Sequence, residues 1–272
     1  MKVFCILSDE RAFRSKSPVM HTEVMKKLGF EGAYVPFKVQ PSMIREAVAG
    51  LRALNIAGAN VTVPYKETVM LYLDHISEQA ASIGAVNTIV ARDNTLSGHN
   101  TDADGFIDAL QGAGIDPEGR KTLVFGAGGA AKAAIAALVR LRAGTIIVAG
   151  RSKSIVGALA SRFGAQPMLI NDLRKQEPGA HILVNATSVS SVEESPELAD
   201  LVRNMKLPGC EAIVDLNYGR KDNFWESAAV ARAAQFMDGI PMLAYQARRS
   251  FMLWTDLNVE PSLYLNALKE SL

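Results

Sequence analysis

Short apolar, β-branched runs alternate with amphipathic stretches along almost the whole chain. The alternation predicts an α/β fold whose mainly parallel sheets are covered by helices on both faces. Residues 2–8 read as the first strand. Pro18 suits the first turn of a helix over 18–28, closed by Gly29. The strand at 33–39 carries Pro36, which marks a sheet edge. Pro41 and Ser42 open a helix to residue 53, and Gly58–Val63 is a third strand. Helices follow over 66–73 and 75–83, then a strand at 86–92, a turn at Asp93-Asn94, a strand at 95–99 and a helix at 103–112. The remainder reads as strand 121–125, helix 130–142, strand 145–149, helix 154–163, strands 181–186 and 212–217, and helices 242–256 and 261–270.

Between strand 121–125 and its helix lies Gly126-Ala-Gly-Gly-Ala-Ala131. Strand, glycine turn, helix and second strand in succession form the context that a dinucleotide fingerprint requires. Gly126 can make the tight turn, Gly128 lets backbone approach a pyrophosphate, and Ala131 stands where helix meets sheet. The N–H groups of Gly126, Ala127, Gly128, Gly129 and Ala130, at the positive end of a helix, would hold phosphate. A tight βα turn without ligand is the other reading. Arg151-Ser152-Lys153 follows the second strand, where an acidic residue would bind the ribose 2′-hydroxyl of NAD. Basic residues there favour the 2′-phosphate of NADP over NAD; a basic turn on a solvated rim is the alternative.

Composition narrows the classes. The 272 residues suffice for one or two domains, and the net charge is +1 with no Lys/Arg cluster. That argues against nucleic acid or an anionic membrane as the main partner. No apolar run is long enough to span a bilayer, and the first strand meets Asp9, Glu10 and Arg11 too soon for a signal segment. Cys5 and Cys210 lie far apart inside apolar runs and read as buried free thiols of a cytoplasmic protein. No His/Cys/Asp spacing indicates a metal. Monomer and homodimer are both compatible with the sequence.

Four polar clusters stand out. Ser15 and Ser17 could hold a carboxylate, or Ser17 could cap a helix. Asn60, Thr62 and Lys66 end a strand, where open α/β sheets place ligands. Asn87-Thr88 could be site residues or turn chemistry. Asn100-Thr-Asp102 precedes a helix that Asp102 could simply cap. His75 and His99 read as structural or solvated, His21 as a support for its loop, and Trp254, Phe251 and Leu253 as core.

Together these segments resemble the shikimate dehydrogenase family over nearly the whole chain. The motifs are Ser15-Lys-Ser-Pro-Val-Met-His21, Asn60-Val-Thr-Val-Pro-Tyr-Lys66, Gly84-Ala-Val-Asn-Thr88, Asn100-Thr-Asp-Ala-Asp-Gly105, the glycine turn, Asn185-Ala-Thr187 and Asp238-Gly-Ile-Pro-Met-Leu-Ala-Tyr-Gln-Ala247. The resemblance implies reversible NADP-linked reduction of 3-dehydroshikimate to shikimate, a step toward chorismate and the aromatic amino acids. It implies two lobes: a substrate lobe at 1–103 completed by 240–272, and a Rossmann-type NADP lobe at 104–239, with a cleft between them and hinges near 103 and 240. Lys66 and Asp102 would be the catalytic pair. Ser15 and Ser17 would bind the substrate carboxylate, and Asn60, Thr62, Asn87, Tyr218 and Gln246 would surround the ring. Thr187 and Gly239 would join the glycine turn and Arg151, Ser152 and Lys153 around the cofactor. The chemistry is coherent: hydride transfer to a ketone builds charge on oxygen, which a nearby ammonium stabilises and protonates.

The chain departs from the family's usual residues at Gly150, at Ser188-Val-Ser190, at Gly219-Arg-Lys-Asp-Asn223 and at Arg248-Arg249. A quinate/shikimate or aminoshikimate dehydrogenase, using NAD or NADP, is the rival enzyme. A silent ligand-binding regulator on the same fold is the rival of another class.

Overall fold

β1 (Lys2–Ser8) is the hub of the first sheet in the computed structural model, which describes residues 1–270. Its residues Phe4, Cys5, Ile6 and Leu7 are buried on both faces, as expected of an inner strand flanked in parallel on each side. After α1 (Ser17–Lys27), β2 (Gly32–Lys38) pairs with β1 in parallel and forms one edge, as Pro36 anticipates. After α2 (Ile44–Ala53), β3 (Gly58–Val61) flanks β1 on the other side, also in parallel.

The stretch expected to hold helices at 66–73 and 75–83 is different. It contains a 3₁₀ turn at Thr68–Tyr72, a two-residue strand β4 (His75–Ile76) and a short α3 (Glu78–Ile83). The Asp74 carboxylate accepts the Leu96 N–H at 2.7 Å and pairs with Arg52 at 2.5 Å, which holds the chain extended beside Thr95–His99. Ser77 then starts α3 by capping Ala80 N–H at 3.2 Å.

β5 (Thr88–Arg92) and β6 (Thr95–His99) complete the sheet in the order β2-β1-β3-β5-β6-β4. Three of its pairings are parallel, and the two involving β5 are antiparallel. The local cause is the turn: Asp93 and Asn94 adopt φ of 50° and 60°, which closes a two-residue hairpin that only antiparallel strands can share.

α4 (Asp102–Gly112) leads to the second sheet: β7 (Thr122–Phe125), α5 (Gly129–Arg140), β8 (Ile146–Gly150), α6 (Lys153–Phe163), β9 (Gln166–Leu169), β10 (Ile182–Asn185), α7 (Pro196–Asn204), β11 (Ala212–Asp215), α8 (Phe224–Val230) and β12 (Gln235–Met237). All its pairings are parallel, in the order β12-β11-β10-β7-β8-β9. The order in which strands are added reverses between β7 and β10, the switch point at which doubly wound sheets bind ligands. The short edge strands β9 and β12 and the helices α7 and α8 are not anticipated by the sequence reading.

α9 (Ile240–Thr255) and α10 (Pro261–Lys269) end the described chain. Two compact units result, Met1–Gly105 with Leu243–Leu272, and Phe106–Met242, so the divisions fall inside α4 and α9. In the first unit, Leu7, Val48, Leu51, Val61, Val69, Ile89 and Leu96 share one aliphatic core. A separate aromatic cluster joins Phe4, His21, Phe30, Tyr34, Phe251, Trp254 and Tyr264. Trp254 and Phe251 are core residues as expected, while Leu253 is only partly buried. A Cβ at Gly58 would collide with the Trp254 ring, whose Nε1 donates to Ile89 O at 2.9 Å. Cys5 and Cys210 are free and buried, and burial pushes the Cys5 thiol up to about 12. Among the described residues no helix is long and apolar enough to cross a membrane.

Candidate active site

Lys66 sits just beyond the carboxyl end of β3, on a turn closed by Tyr65 N–H to Thr62 O at 2.9 Å. The turn is pinned from both sides: Ser8 Oγ donates to Val63 O at 2.6 Å, and Tyr65 OH donates to Val39 O at 2.5 Å. Asp102 is the first residue of α4. Its helix is not capped by its own carboxylate, because Asn100 Oδ1 takes the N–H groups of Asp102 and Ala103 at 3.1 and 3.2 Å. The Asp102 carboxylate is thereby left for other partners. Lys66 Nζ lies 2.6 Å from Asp102 Oδ2, with the two side chains 12% and 8% exposed. This is a charge-assisted bond in a nearly dry site, open to solvent on the lysine side.

The other carboxylate oxygen, Oδ1, accepts from Asn87 Nδ2 at 2.8 Å. Gln246 joins the same group, its Oε1 3.3 Å from Asn87 Nδ2 and its Nε2 bonded to Leu243 O at 2.9 Å. Gly105, the last residue of the Asn100–Gly105 motif, explains how α9 comes so close: a Cβ there would stand 2.7 Å from the Gln246 backbone nitrogen. Asn60 is buried with both ends of its amide spent. Its Oδ1 accepts from Tyr34 OH at 2.7 Å, and its Nδ2 reaches Ser250 Oγ at 3.0 Å and Asn87 O at 3.2 Å. Thr62 is partly exposed, and its hydroxyl makes no hydrogen bond among the described residues. Ser17 begins α1 without capping it; instead its N–H donates to Ser15 Oγ at 3.1 Å. Burial raises the Tyr34 phenol well above its usual range, with a hydrogen bond to Ser17 acting against that shift.

The fold thus brings Asn60, Lys66, Asn87, Asp102 and Gln246 into one connected group. The group takes in Thr88, a candidate from the sequence, and adds three residues that the sequence does not mark as site residues: Tyr34, Thr101 and Ser250. Thr88 and Thr101 were inside quoted motifs. Tyr34 and Ser250 come from β2 and α9, with no local signal. Arg248, a departure from the family's usual residues, ties the tail: its guanidinium donates to Val259 O and to Asn258 Oδ1 at 2.8 Å.

In the second unit the glycine turn sits at the switch point. Gly126 has φ 113°, and a Cβ there would lie 2.8 Å from Ala186 O, so the loops after β7 and β10 touch through it. A Cβ at Gly128 would meet nothing within 4 Å, which leaves open space against the start of α5. Gly128 caps α5 without a side-chain bond, and the first turn carries no acidic residue. Ala131 is fully buried at the helix–sheet contact. Gly126 N–H is not available to phosphate as expected, because it donates to Ala149 O at 2.9 Å and extends the β7–β8 ladder; the later N–H groups at the start of α5, its positive end and the open approach at Gly128 fit a dinucleotide pyrophosphate. Ala127, Gly129 and Ala130 complete this turn.

Arg151 and Lys153 are exposed and make no ion pair among the described residues. Ser152 caps α6, accepting from Ile155 N–H at 3.5 Å, so its hydroxyl is partly spent on the helix. Gly150 has its own reason: a Cβ there would meet Val156 Cγ2 at 2.5 Å. Thr187 Oγ1 donates to Asn185 Oδ1 at 2.7 Å. Gly239 packs against Leu216 O, where a side chain would collide. Tyr218 follows β11 and is half-buried. The departures at Ser190 and Asn223 belong to one buried network around Asp215. Asp215 Oδ1 accepts from Asn185 Nδ2 at 2.8 Å and from Asn217 at 3.1 and 3.0 Å, while Oδ2 accepts from Asn223 Nδ2 at 2.8 Å. Ser190 Oγ accepts from Asn217 Nδ2 at 2.9 Å.

Residues 10–89 match the shikimate dehydrogenase substrate binding domain, and residues 109–221 match the shikimate / quinate 5-dehydrogenase family. The chain belongs to the shikimate dehydrogenase family. A shikimate dehydrogenase (NADP(+)) from Moorella thermoacetica is 36% identical over 269 residues, covering 95% of this chain and 90% of the relative. That of Caldanaerobacter subterraneus is 39% identical over 250 residues, covering 89% and 87%. The crystal structure of shikimate 5-dehydrogenase from Thermus thermophilus in complex with NADP(H) and shikimate superposes with a TM-score of 0.87 at 35% identity, covering 100% of both chains. The enzyme of Listeria monocytogenes, solved in complex with shikimate and NAD, gives 0.80 at 30% identity, covering 98% of this chain and 96% of that one.

Proposed function

We propose that this member of the shikimate dehydrogenase family is an NADP-dependent enzyme that interconverts 3-dehydroshikimate and shikimate. The observation that carries the reading is the Lys66 Nζ–Asp102 Oδ2 contact at 2.6 Å, with Asn87 holding the opposite carboxylate oxygen. NADPH, when bound, supplies the hydride. Lys66 donates its proton to the ketone oxygen as charge builds there, and in the reverse direction neutral Lys66 takes the proton back. Asp102 fixes the ammonium and offers its remaining acceptor capacity to a ring hydroxyl. Ser15, Ser17 and the unspent Thr62 hydroxyl receive the substrate, with Gln246. Asn60, whose amide is spent internally, acts on the substrate through its neighbours. The backbone from Ala127 to Ala130 holds the pyrophosphate, with Gly126 making the turn; Arg151 and Lys153 hold the 2′-phosphate, and Thr187 and Gly239 border the cofactor. The buried free thiols suit a reducing cytoplasm.

The Listeria monocytogenes complex makes NAD the second reading for the cofactor. A single assay separates the readings: shikimate- and quinate-dependent reduction of NADP and of NAD, with Arg151→Ala alongside. Shikimate with NADP is the expected best pair, and Arg151→Ala should raise the KM for NADP about tenfold while leaving NAD unchanged. Faster turnover with NAD or quinate would replace the reading within the class. No turnover with any pair would favour a ligand-binding regulator.

A further inference from the structure

Behind the Lys66–Asp102 pair lies a buried, closed circuit of hydrogen bonds. Asn87 Nδ2 donates to Thr101 Oγ1 at 2.8 Å. Thr101 Oγ1 is 3.1 Å from Ser250 Oγ, and Ser250 Oγ is 2.8 Å from Thr88 Oγ1. Thr88 Oγ1 donates back to Asn87 Oδ1 at 2.9 Å. Thr88 and Ser250 are fully buried, and Thr101 and Asn87 are 3% exposed.

The direction of the circuit follows from its fixed donors. The Thr101 backbone N–H, which can only donate, points at Asn87 Oδ1 at 2.7 Å. That settles which end of the Asn87 amide is oxygen, so Nδ2 must face Asp102. Thr88 spends its one hydrogen on the same Oδ1, which leaves its oxygen to accept from Ser250. The Ser250 oxygen can then accept from Thr101. When Thr101 Oγ1 donates to Ser250 rather than to Asn87 Oδ1, which lies 3.2 Å away, all four bonds run the same way round, an arrangement in which each bond polarises the next. Ser250 also accepts from Asn60 Nδ2 at 3.0 Å and lies 3.0 Å from Gln246 O, the alternative acceptor for its hydrogen.

We propose that Thr88 and Ser250 are positioning residues for the Lys66–Asp102 pair: their hydroxyls lock the Asn87 amide so that Asp102 Oδ1 is always bonded by Asn87 and Oδ2 is presented to Lys66. The proposal rests on the function proposed above and deepens it. It also gives α9 a chemical part, because Ser250 is the link that this helix contributes to the circuit. Removing a circuit hydroxyl lets the Asn87 amide turn or loosen, so the carboxylate shares its oxygens and the lysine loses its fixed bearing. The cost falls on turnover more than on substrate affinity, since neither hydroxyl is at the surface of the site.

The test uses Thr88→Val, which keeps the side-chain shape, Ser250→Ala, and Thr88→Ser, which keeps the hydroxyl. Thr88→Val and Ser250→Ala should each lower kcat about 5- to 10-fold, the worth of one hydrogen bond, with the KM for shikimate and for NADP within about twofold of wild type. Thr88→Ser should recover most of kcat although it loses a buried methyl. A role in stability alone would lower the unfolding midpoint of all three variants without moving kcat at a temperature where they are folded, and that result overturns the proposal. So does a Thr88→Ser variant as slow as Thr88→Val. If wild-type protein turns over no substrate, the functional reading fails separately, and a crystal structure of Thr88→Val still decides the circuit. An Asn87 amide displaced from Asp102 supports it, and an unmoved amide overturns it.

Discussion

Asp102 in the first unit and Asp215 in the second are both buried carboxylates held by asparagine side chains, and both close the end of a β-rich segment. Asp215 is fully buried, and both its oxygens are taken by amides: Asn185, Asn217 twice, and Asn223. No cation among its hydrogen-bond partners balances it, so neutral donors alone bear its charge, which fixes the loops after β10 and β11. Asp102 receives one amide on Oδ1 and gives the other oxygen to a lysine that is 12% exposed. The same residue types build both networks. The difference is one position: an amide closes the second carboxylate oxygen of Asp215, whereas a lysine ammonium, a proton carrier, faces that of Asp102. A carboxylate saturated by amides is structural; one left half-occupied beside an ammonium has capacity to spare for a substrate.

The strongest attack on this contrast removes the proton carrier. Lys66→Ala should lower kcat about 10³-fold while the KM for NADP stays within about twofold. Steady-state kinetics with shikimate check it, and unchanged turnover would remove the lysine from the chemistry. Next comes the same substitution made in both networks. Asp102→Asn should cut kcat roughly 10²-fold and change unfolding free energy little, because the amide keeps the shape and loses the charge facing Lys66. Asp215→Asn should do the reverse. One end of the new amide would present N–H groups to the asparagine donors, costing about 2–4 kcal/mol of stability in urea unfolding, with kcat of the folded fraction within about twofold. If both variants lose mainly stability, or both mainly turnover, the contrast fails.

The distinction was only partly legible in the sequence. The strand–glycine turn–helix–strand succession at 121–149 carried the doubly wound fold, because Gly126 and Ala131 are dictated by local contacts that any such turn must make. The motifs at Asn60–Lys66 and Asn100–Gly105 located the pair. What remained hidden depends on long-range geometry. Asn100 and Asp102 are both good cap residues, and only the coordinates show that Asn100 takes the cap and frees Asp102. Asn60 reads as a ligand-facing amide until Tyr34 and Ser250, from distant segments, are seen to occupy it. The departures at Ser190 and Asn223 carry no local signal of their role as the acceptor and donor that close the Asp215 network. Short strands such as Gln166–Leu169 and Gln235–Met237 have too few apolar positions for periodicity to reveal them.

His21 offers the smallest and most specific test, since it shows a third way to bury a titratable group: without charge. Its ring is stacked on Tyr34 at 4.5 Å, with Nδ1 3.2 Å from Tyr264 OH and Nε2 unpartnered. Burial holds its pKa down at about 3 from 6.5. Below pH 6.5 the unfolded chain therefore takes up a proton that the folded chain refuses, and stability is lost as pH falls from there toward 3. The contribution amounts to roughly 1.4 kcal/mol per pH unit inside that window. Carboxylates titrate over part of the same range, so the informative quantity is the difference between wild type and His21→Phe, which keeps the aromatic stack and cannot titrate. Between about pH 6 and 4.5 the variant should lose less unfolding free energy than wild type, by roughly 2 kcal/mol. Parallel curves for the two proteins would mean that His21 is hydrated or protonated in the folded state.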